Sequence, residues 1–286
     1  MKPVINRTLI NMLALATVMI GGCAKQKVNE DLGALPTVTF TATPLASSPN
    51  KIVFKSTTAG AFEWRWEFAP GVKSFKETDT FLYSAKGDYN VVLKAFNRAG
   101  YATTTQKVTI VNDYPGVNAL KGEAMDAASA AQWKVIGTGS TLTAINWGAD
   151  GLNFSNGTGS AQTNIVVYQA VSVVKGHPYK LSAKVKGAGA TNTWFEVYLG
   201  TTVPVAGSDY SDNKFIALNT WSGCALSAFN DDISSYGCDG SGKGKNGSVT
   251  FDNSGTIYVV LKVGSWDGNL GSTGITIANV RLADMN

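Results

Sequence analysis

Charge is scarce in this chain of 286 residues: Asp, Glu, Lys and Arg make up 15% of it, and the formal net charge is only +4. Part of that excess lies near the start, in Lys2, Arg7, Lys25 and Lys27, so composition gives no argument for nucleic acid. Histidine is scarcer still. With one histidine, His177, and three cysteines that are not clustered, the chain lacks the ligands of the usual zinc sites. It also has a single imidazole, just before Pro178, to offer a catalytic triad, and no Gly-x-Ser-x-Gly. A helical period of useful length is missing as well, apart from a turn expected at 124–131.

What is present begins with an N-terminal signal. Lys2 and Arg7 precede the uncharged run "LINMLALATVMI", and small residues then lead to Cys23, the layout of a secretory signal peptide over residues 1–22. The run is shorter than the about 20 apolar residues of a spanning helix. The ending Ile20, Gly21, Gly22, Cys23 resembles a bacterial lipobox, which implies cleavage before Cys23 and conversion of its thiol to a lipid thioether. The alternative is a plain signal peptide with an incidental cysteine. Residues 23–35 are polar and short of large apolar groups, as a flexible tether is. In an exported chain, Cys224 and Cys238, within "SGCALSAFNDDISSYGCDG", are expected to close a disulfide worth about 3 kcal/mol; the other reading is two free thiols.

The rest is rich in Gly, Thr, Ser, Val and aromatics, an alphabet for β-sandwiches. From residue 36 to 112 short runs alternate apolar with polar residues, among them "TVTFTAT", "KIVFKST" and "FEWRWEF", the period of antiparallel strands with one buried face. Phe62, Trp64, Trp66 and Phe68 are expected to share the core face; the other reading makes Trp64 and Trp66 a sugar platform. "WRWEF", followed by "AKGDYNVVLKAFNRAGYATTTQKVTIV", resembles the polycystic-kidney-disease (PKD) type of immunoglobulin-like domain. Trp66 stands for its tryptophan strand, Gly87, Tyr89, Val91 and Leu93 for its Gly-x-Tyr-x-Val-x-Leu strand, Asn97 and Gly100 for its hairpin, and Val108 and Ile110 for its last strand. "EFAPGVK" departs from the family's acidic turn. The resemblance implies a spacer or interaction module without catalysis.

After the hinge "NDYPGVN", residues 118–286 read as a second, larger β-domain, with strands expected at 131–136, 142–146, 151–154, 163–174, 178–186, 193–199, 214–218, 248–252, 256–264 and 274–282. "NIVVYQAVSVVKGHPYKLSAKVKG", "WFEVYLG" and the closing "GITIANVRL" resemble a galactose-binding-like jelly roll of the carbohydrate-binding-module type, closest to family 4. The fold class is therefore all-β, an Ig-like PKD-type sandwich followed by a larger jelly roll. Together the parts resemble the cell-surface glycan-binding lipoproteins of Gram-negative glycan-foraging bacteria. That implies a non-catalytic protein of the outer membrane that captures polysaccharide, with β-1,3- or mixed-linkage β-glucan as the first candidates, and that works beside an outer-membrane glycan importer.

A sugar site needs exposed aromatics beside hydrogen-bonding groups. Trp266, with Asp267 and Asn269 in "VGSWDGNLG", is the leading candidate. Trp221, three residues before Cys224, reads equally as a platform or as loop core. Trp194, Glu196 and Tyr198 share one face of a strand by alternation, and either line a concave face or pack inward with Glu196 paired. Gln169 is a candidate for that face, against the reading of a glutamine satisfied by backbone. Trp147 is a weaker rim candidate, Trp133 is assigned to the core, and His177 is read as solvated without a partner. Similar sandwiches hold a structural calcium, for which Glu123 and Asp284 are candidates, although Asn279 stands where the family often has aspartate; no other cofactor is implied. Among loop carboxylates such as Asp209 and Asp212 a glycosidase pair is not excluded, but no hydrolase motif supports one. A structural or adhesive protein that binds a protein partner is the competing class.

Overall fold

The computed structural model describes residues 32–137, 144–156, 163–243 and 245–286. Cys23 and the segment read as a signal peptide lie outside the described residues. Among the described residues the strands are, in chain order, β1 (Phe40–Leu45), β2 (Ser48–Ser56), β3 (Glu63–Ala69), β4 (Val72–Ser74), β5 (Thr78–Leu82), β6 (Gly87–Asn97), β7 (Gly100–Ile110), β8 (Val117–Asn118), β9 (Lys134–Gly137), β10 (Ala144–Gly148), β11 (Gly151–Ser155), β12 (Thr163–Val173), β13 (Pro178–Gly187), β14 (Thr191–Gly200), β15 (Lys214–Asn219), β16 (Phe229–Asp232), β17 (Ser248–Thr250), β18 (Gly255–Asn269) and β19 (Ile275–Asp284), with a short helix, α1 (Ile233–Tyr236). The fold is all-β.

Four sheets are formed by the described residues. Two are small, in the orders β1-β2-β5 and β4-β3-β6-β7. A seven-stranded sheet runs β10-β11-β19-β13-β16, with β17 added to β13 and β8 to β19, and a five-stranded sheet runs β15-β14-β18-β12-β9. The chain divides into two compact units. One gathers Val53–Asp79, Tyr89–Val108 and the described residues up to Ala42; the other gathers Thr43–Ile52, Thr80–Asp88 and Thr109–Asn286.

In the first unit Trp66 and Phe68 are buried and stack, with ring centroids 5.7 Å apart, and Phe54 packs against both. Trp66 Nε1 donates to Lys76 O at 2.7 Å, so the ring is buried with its polar atom satisfied. The aromatic stripe is shorter than expected. Phe62, whose N–H still donates to Phe96 O at 3.0 Å, is 62% exposed at the residue before β3, and Trp64 is only half-buried.

In the second unit, alternation along the strands builds one core between the seven- and five-stranded sheets. Phe195, Val197 and Leu199 of β14 and Val259, Leu261 and Val263 of β18 meet Leu181, Ala183 and Val185 of β13 and Ile275, Ile277 and Leu282 of β19. Each large side chain buried here contributes roughly 1.5–3 kcal/mol. Trp133 joins this core, and its Nε1 donates to Gly122 O at 3.2 Å. The expected turn at 124–131 is a 3-10 turn at Ala130–Gln132. β16 was not anticipated: "FNDD" carries no alternation, and its pairing comes from the edge of β13.

Candidate functional site

The outer face of the five-stranded sheet carries the residues that alternation turns away from the core. Its register sets Asn219, Trp194, Gly264 and Asn164 in one row across β15, β14, β18 and β12, and Ala217, Glu196, Lys262 and Val166 in the next. Tyr198, Val260 and Tyr168 follow in a third. Sequence alternation thus placed Trp194, Glu196 and Tyr198 on one face correctly, but the three have different fates.

Residues 201–213 fold over the middle of this face. Tyr210 is buried there edge-on to Tyr198, with ring centroids 5.3 Å apart, and its hydroxyl donates to Thr202 O at 2.9 Å. Asp212 Oδ2 fixes the start of the loop by accepting from Thr201 N and Thr202 N at 2.7 and 2.8 Å. Those backbone donors, from Thr202 first, hold its carboxyl below the usual range against the opposing effect of burial. A Cβ at Gly200 would collide with the Tyr210 hydroxyl, so only glycine admits this approach.

Under the loop, Lys262 Nζ lies 2.9 Å from Glu196 Oε2 and 3.2 Å from Asp209 Oδ1, and donates to Tyr210 O at 2.9 Å. Lys214 reaches Glu196 at 3.6 Å and also pairs with Asp239, and the hydrogen bond to Asp239 holds its ammonium above the usual lysine range. Tyr198 donates to Glu196 Oε2 at 2.7 Å. Burial above all, then the bond to Glu196 and its charge, pushes the Tyr198 phenol well above its ordinary value. Glu196 and Tyr198 are 8% and 3% exposed. As sugar-contacting residues they are therefore corrected: the carboxylate is spent on two lysines and the ring is sealed by Tyr210. Nothing in the local pattern of "TTVPVAGSDYSDN" announced that this loop would return over the sheet.

The end of the face beyond the loop is different. Trp221 is 57% and Trp266 61% exposed. Trp221 sits on a 3-10 turn, Thr220–Ser222, which Asn219 caps by accepting from Trp221 N and which Gly223 ends in the left-handed region. Thr220 Oγ1 accepts from Thr193 N at 2.9 Å, and Cys224, joined to Cys238, follows directly. The turn is thus held from both sides. Trp221 leans on the half-buried Trp194 with ring centroids 6.0 Å apart. Trp194 Nε1 is buried without a hydrogen-bond partner, so packing alone fixes that ring.

Trp266 lies two residues beyond Gly264 on β18, just past the last regular pair with β14, Ser265 opposite Thr193. There the ladder with β14 slips between Thr193 and Thr191, and Asp267 takes a φ of 49°. This bulge is clamped: Asn192 Nδ2 donates to Asp267 O at 3.1 Å, and Asn156 Nδ2 donates to Ser265 Oγ and Gly268 O at 2.9 and 3.1 Å. A side chain at Gly268 would strike Thr191 O. Gly264, directly opposite Trp194, is itself buried.

Other candidates fall elsewhere. Gln169 is corrected to a structural role: its Oε1 accepts from Lys121 N, and its Nε2 donates to Lys121 O and Gln132 O. Asn269 caps the turn after β18 by accepting from Gly271 N, whereas Asp267 is exposed. Trp147 packs partly against the core. Glu123 pairs with Arg281 at 3.4 Å and accepts from Asn118 Nδ2. Asp284 lies 2.9 Å from His177 Nδ1, so the histidine has the partner that sequence did not reveal. Burial raises the Asp284 carboxyl, but the bonds from His177 and Asn286 N outweigh it and leave it below the usual range. With each carboxylate engaged by a basic side chain, and no cluster of three metal-type ligands among the described residues, these two residues do not fit a calcium site.

The PKD domain family matches residues 37–110. Among solved structures, the chain is similar to the PKD1 domain of Vibrio anguillarum Epp, at 19% identity and a TM-score of 0.25, covering 28% of this chain and 96% of that one. It is similar to a structure described as carbohydrate-binding modules from the β-sandwich superfamily, at 13% identity and a TM-score of 0.29 over 87% of this chain and 98% of that one. A third is the chitinase ChiA74 from Bacillus thuringiensis, at 14% identity and a TM-score of 0.22, with 87% of this chain and 29% of the chitinase covered. No curated protein matches the chain in sequence.

Proposed function

We propose that this protein is a non-catalytic glycan binder that grips a neutral polysaccharide, a β-1,3- or mixed-linkage β-glucan first, on the tryptophan end of the five-stranded sheet. The observation that carries the reading is the pair of exposed indoles, Trp221 and Trp266, held on capped and clamped turns at the same end of one sheet. Exposed rings this large cost solvation unless a partner covers them, and rigid mounting lowers the entropy lost when one does. Asn219, Asn192 and Asp267 stand nearby as hydrogen-bonding groups for ring hydroxyls.

Glycoside hydrolysis needs two carboxyl groups free to act at a set separation. Glu196, the strand carboxylate nearest the tryptophans in sequence, is tied to Lys262, Lys214 and Tyr198, which supports binding without cleavage. In this reading the PKD domain is a spacer, Cys23 carries a lipid anchor at the outer membrane, and the captured glycan passes to an importer beside it.

Affinity electrophoresis against a polysaccharide panel tests this. Retarded migration in β-glucan gels, with no reducing sugar released on long incubation, is the expected result. Unchanged mobility in every neutral-polysaccharide gel overturns the reading, and release of reducing sugar overturns its non-catalytic part.

A further inference from the structure

The opposite surface of the same unit, the outer face of the seven-stranded sheet, holds a second polar site that the tryptophan face does not explain. We propose that it binds acidic saccharides through Lys184 and Lys186. β13 turns Ala183 and Val185 into the core and both lysines outward. The register then aligns Asn146, Asn153, Thr276, Lys186 and Asn230 in one straight row across β10, β11, β19, β13 and β16. With strands about 4.8 Å apart the row runs roughly 19 Å, enough for a stretch of polymer. Beside it the face is low: Gly148 pairs with Gly151, and Ala278 pairs with Lys184.

A cavity of about 140 Å³ opens on this row, lined by Asp150, Lys184, Lys186, Asn230, Thr276 and Ala278. Lys186 and Asn230 also line a neighbouring hollow of about 440 Å³ walled by Gly187, Ala188, Phe229 and Tyr236. The chemistry of the lining is cationic and donor-rich. Neither lysine forms an ion pair or side-chain hydrogen bond among the described residues. Asp232, which the register sets beside Lys184, spends its carboxylate on Ala183 N, Ser234 N and Ser234 Oγ. Thr276 Oγ1 already accepts from Asn153 Nδ2 at 2.9 Å, which leaves its own hydrogen to donate outward.

Two unpartnered ammonium groups at a cavity call for a carboxylate or sulfate. The amide and hydroxyl row calls for a polyhydroxyl chain, and the partly exposed Tyr236, backed by the buried Phe229, offers an apolar wall for a ring face. Asp150, the one carboxylate among the described residues of the lining, leaves the lining with one net positive charge and accepts from hydroxyls, while Asp232 keeps its charge but has its oxygens taken up by backbone and Ser234. An acidic saccharide meets all of these demands, whereas a bare anion would leave the row and the wall unused.

The test is affinity electrophoresis and calorimetry of the full mature chain with polygalacturonate, its fully methyl-esterified form and dextran sulfate. Binding to polygalacturonate or dextran sulfate that weakens with added salt is expected, with the effective polymer naming the acid group, and loss on methyl esterification if that group is carboxylate. Lys184→Ala with Lys186→Ala should weaken it at least about tenfold, since each lost charge-assisted bond is worth that much. Lys51→Ala with Lys55→Ala, which removes the same charge elsewhere, should not. No binding to either acidic polymer, or equal loss in both double variants, overturns the proposal. Trp266→Ala should leave acidic binding intact, and the Lys184/Lys186 variant should leave β-glucan binding intact, so failure here and failure of the tryptophan reading are distinguishable.

Discussion

Replacing Trp266 by alanine separates a binding role from a structural one. The ring is 61% exposed and lies on a bulge whose hydrogen bonds come from backbone, Asn192 and Asn156. Its removal leaves no cavity and breaks none of those bonds, so the cost in stability should stay within about 0.5 kcal/mol. Stacking of an aromatic on a ligand ring is worth about 1–3 kcal/mol if sugar behaves as a base does, which is a roughly 5- to 150-fold rise in Kd. Calorimetry with a soluble β-glucan reads the affinity, and a thermal melt of the same samples reads the stability. An unchanged Kd refutes the reasoning. So does a weakened Kd that arrives with a lowered Tm, because the ring would then be holding the fold.

Lys262→Met should cost about 3–5 kcal/mol, since it leaves the Glu196 charge under the loop with the Tyr198 hydroxyl and only the longer ion pair to Lys214; the melt of this unit should fall by roughly 6–20 °C, and adding Glu196→Leu should recover most of it. Spectrophotometric titration should find Tyr198 and Tyr210 still protonated after the exposed tyrosines ionise, because burial raises both phenols. The sign follows from linkage: the folded state holds those protons more tightly than the unfolded chain, so this stability is complete below the ordinary tyrosine value near 10 and fades as pH climbs toward the folded value. Cys224→Ser with Cys238→Ser opens a link spanning 14 residues, at a cost of about 3 kcal/mol, and should weaken β-glucan affinity by loosening the turn that carries Trp221.

Much of the fold was legible because a two-residue period with one buried face leaves little freedom. The runs around Phe195, Val259 and Ile277 could be placed inside a sandwich without coordinates, and Trp133 could be assigned to the core beside them. Within the candidate site the same periodicity grouped Trp194, Glu196 and Tyr198. It was silent on what covers them. Tyr210 reaches Tyr198 from a loop whose sequence has no period, and Lys262 meets Glu196 only because β18 and β14 pair in one register. Gln169 looked available because its partners, Lys121 and Gln132, are distant in sequence. Phe62 shares the period of Trp66 and Phe68, yet among the described residues nothing packs over it at the start of β3 and its ring stays exposed.

By itself the amino-acid sequence determined that the chain is all-β, that residues 37–110 carry the PKD pattern, and which side chains share a strand face, because alternation and turn residues act over a few neighbours. Tertiary structure alone decided which outward residues meet water. The fold of residues 201–213 sealed Glu196 and Tyr198 while Trp221 and Trp266 stayed open, and the register across five strands gathered Asn146, Asn153, Thr276, Lys186 and Asn230 into one row. Exposure and cross-strand neighbours depend on contacts between segments far apart in the chain, and no local pattern encodes them.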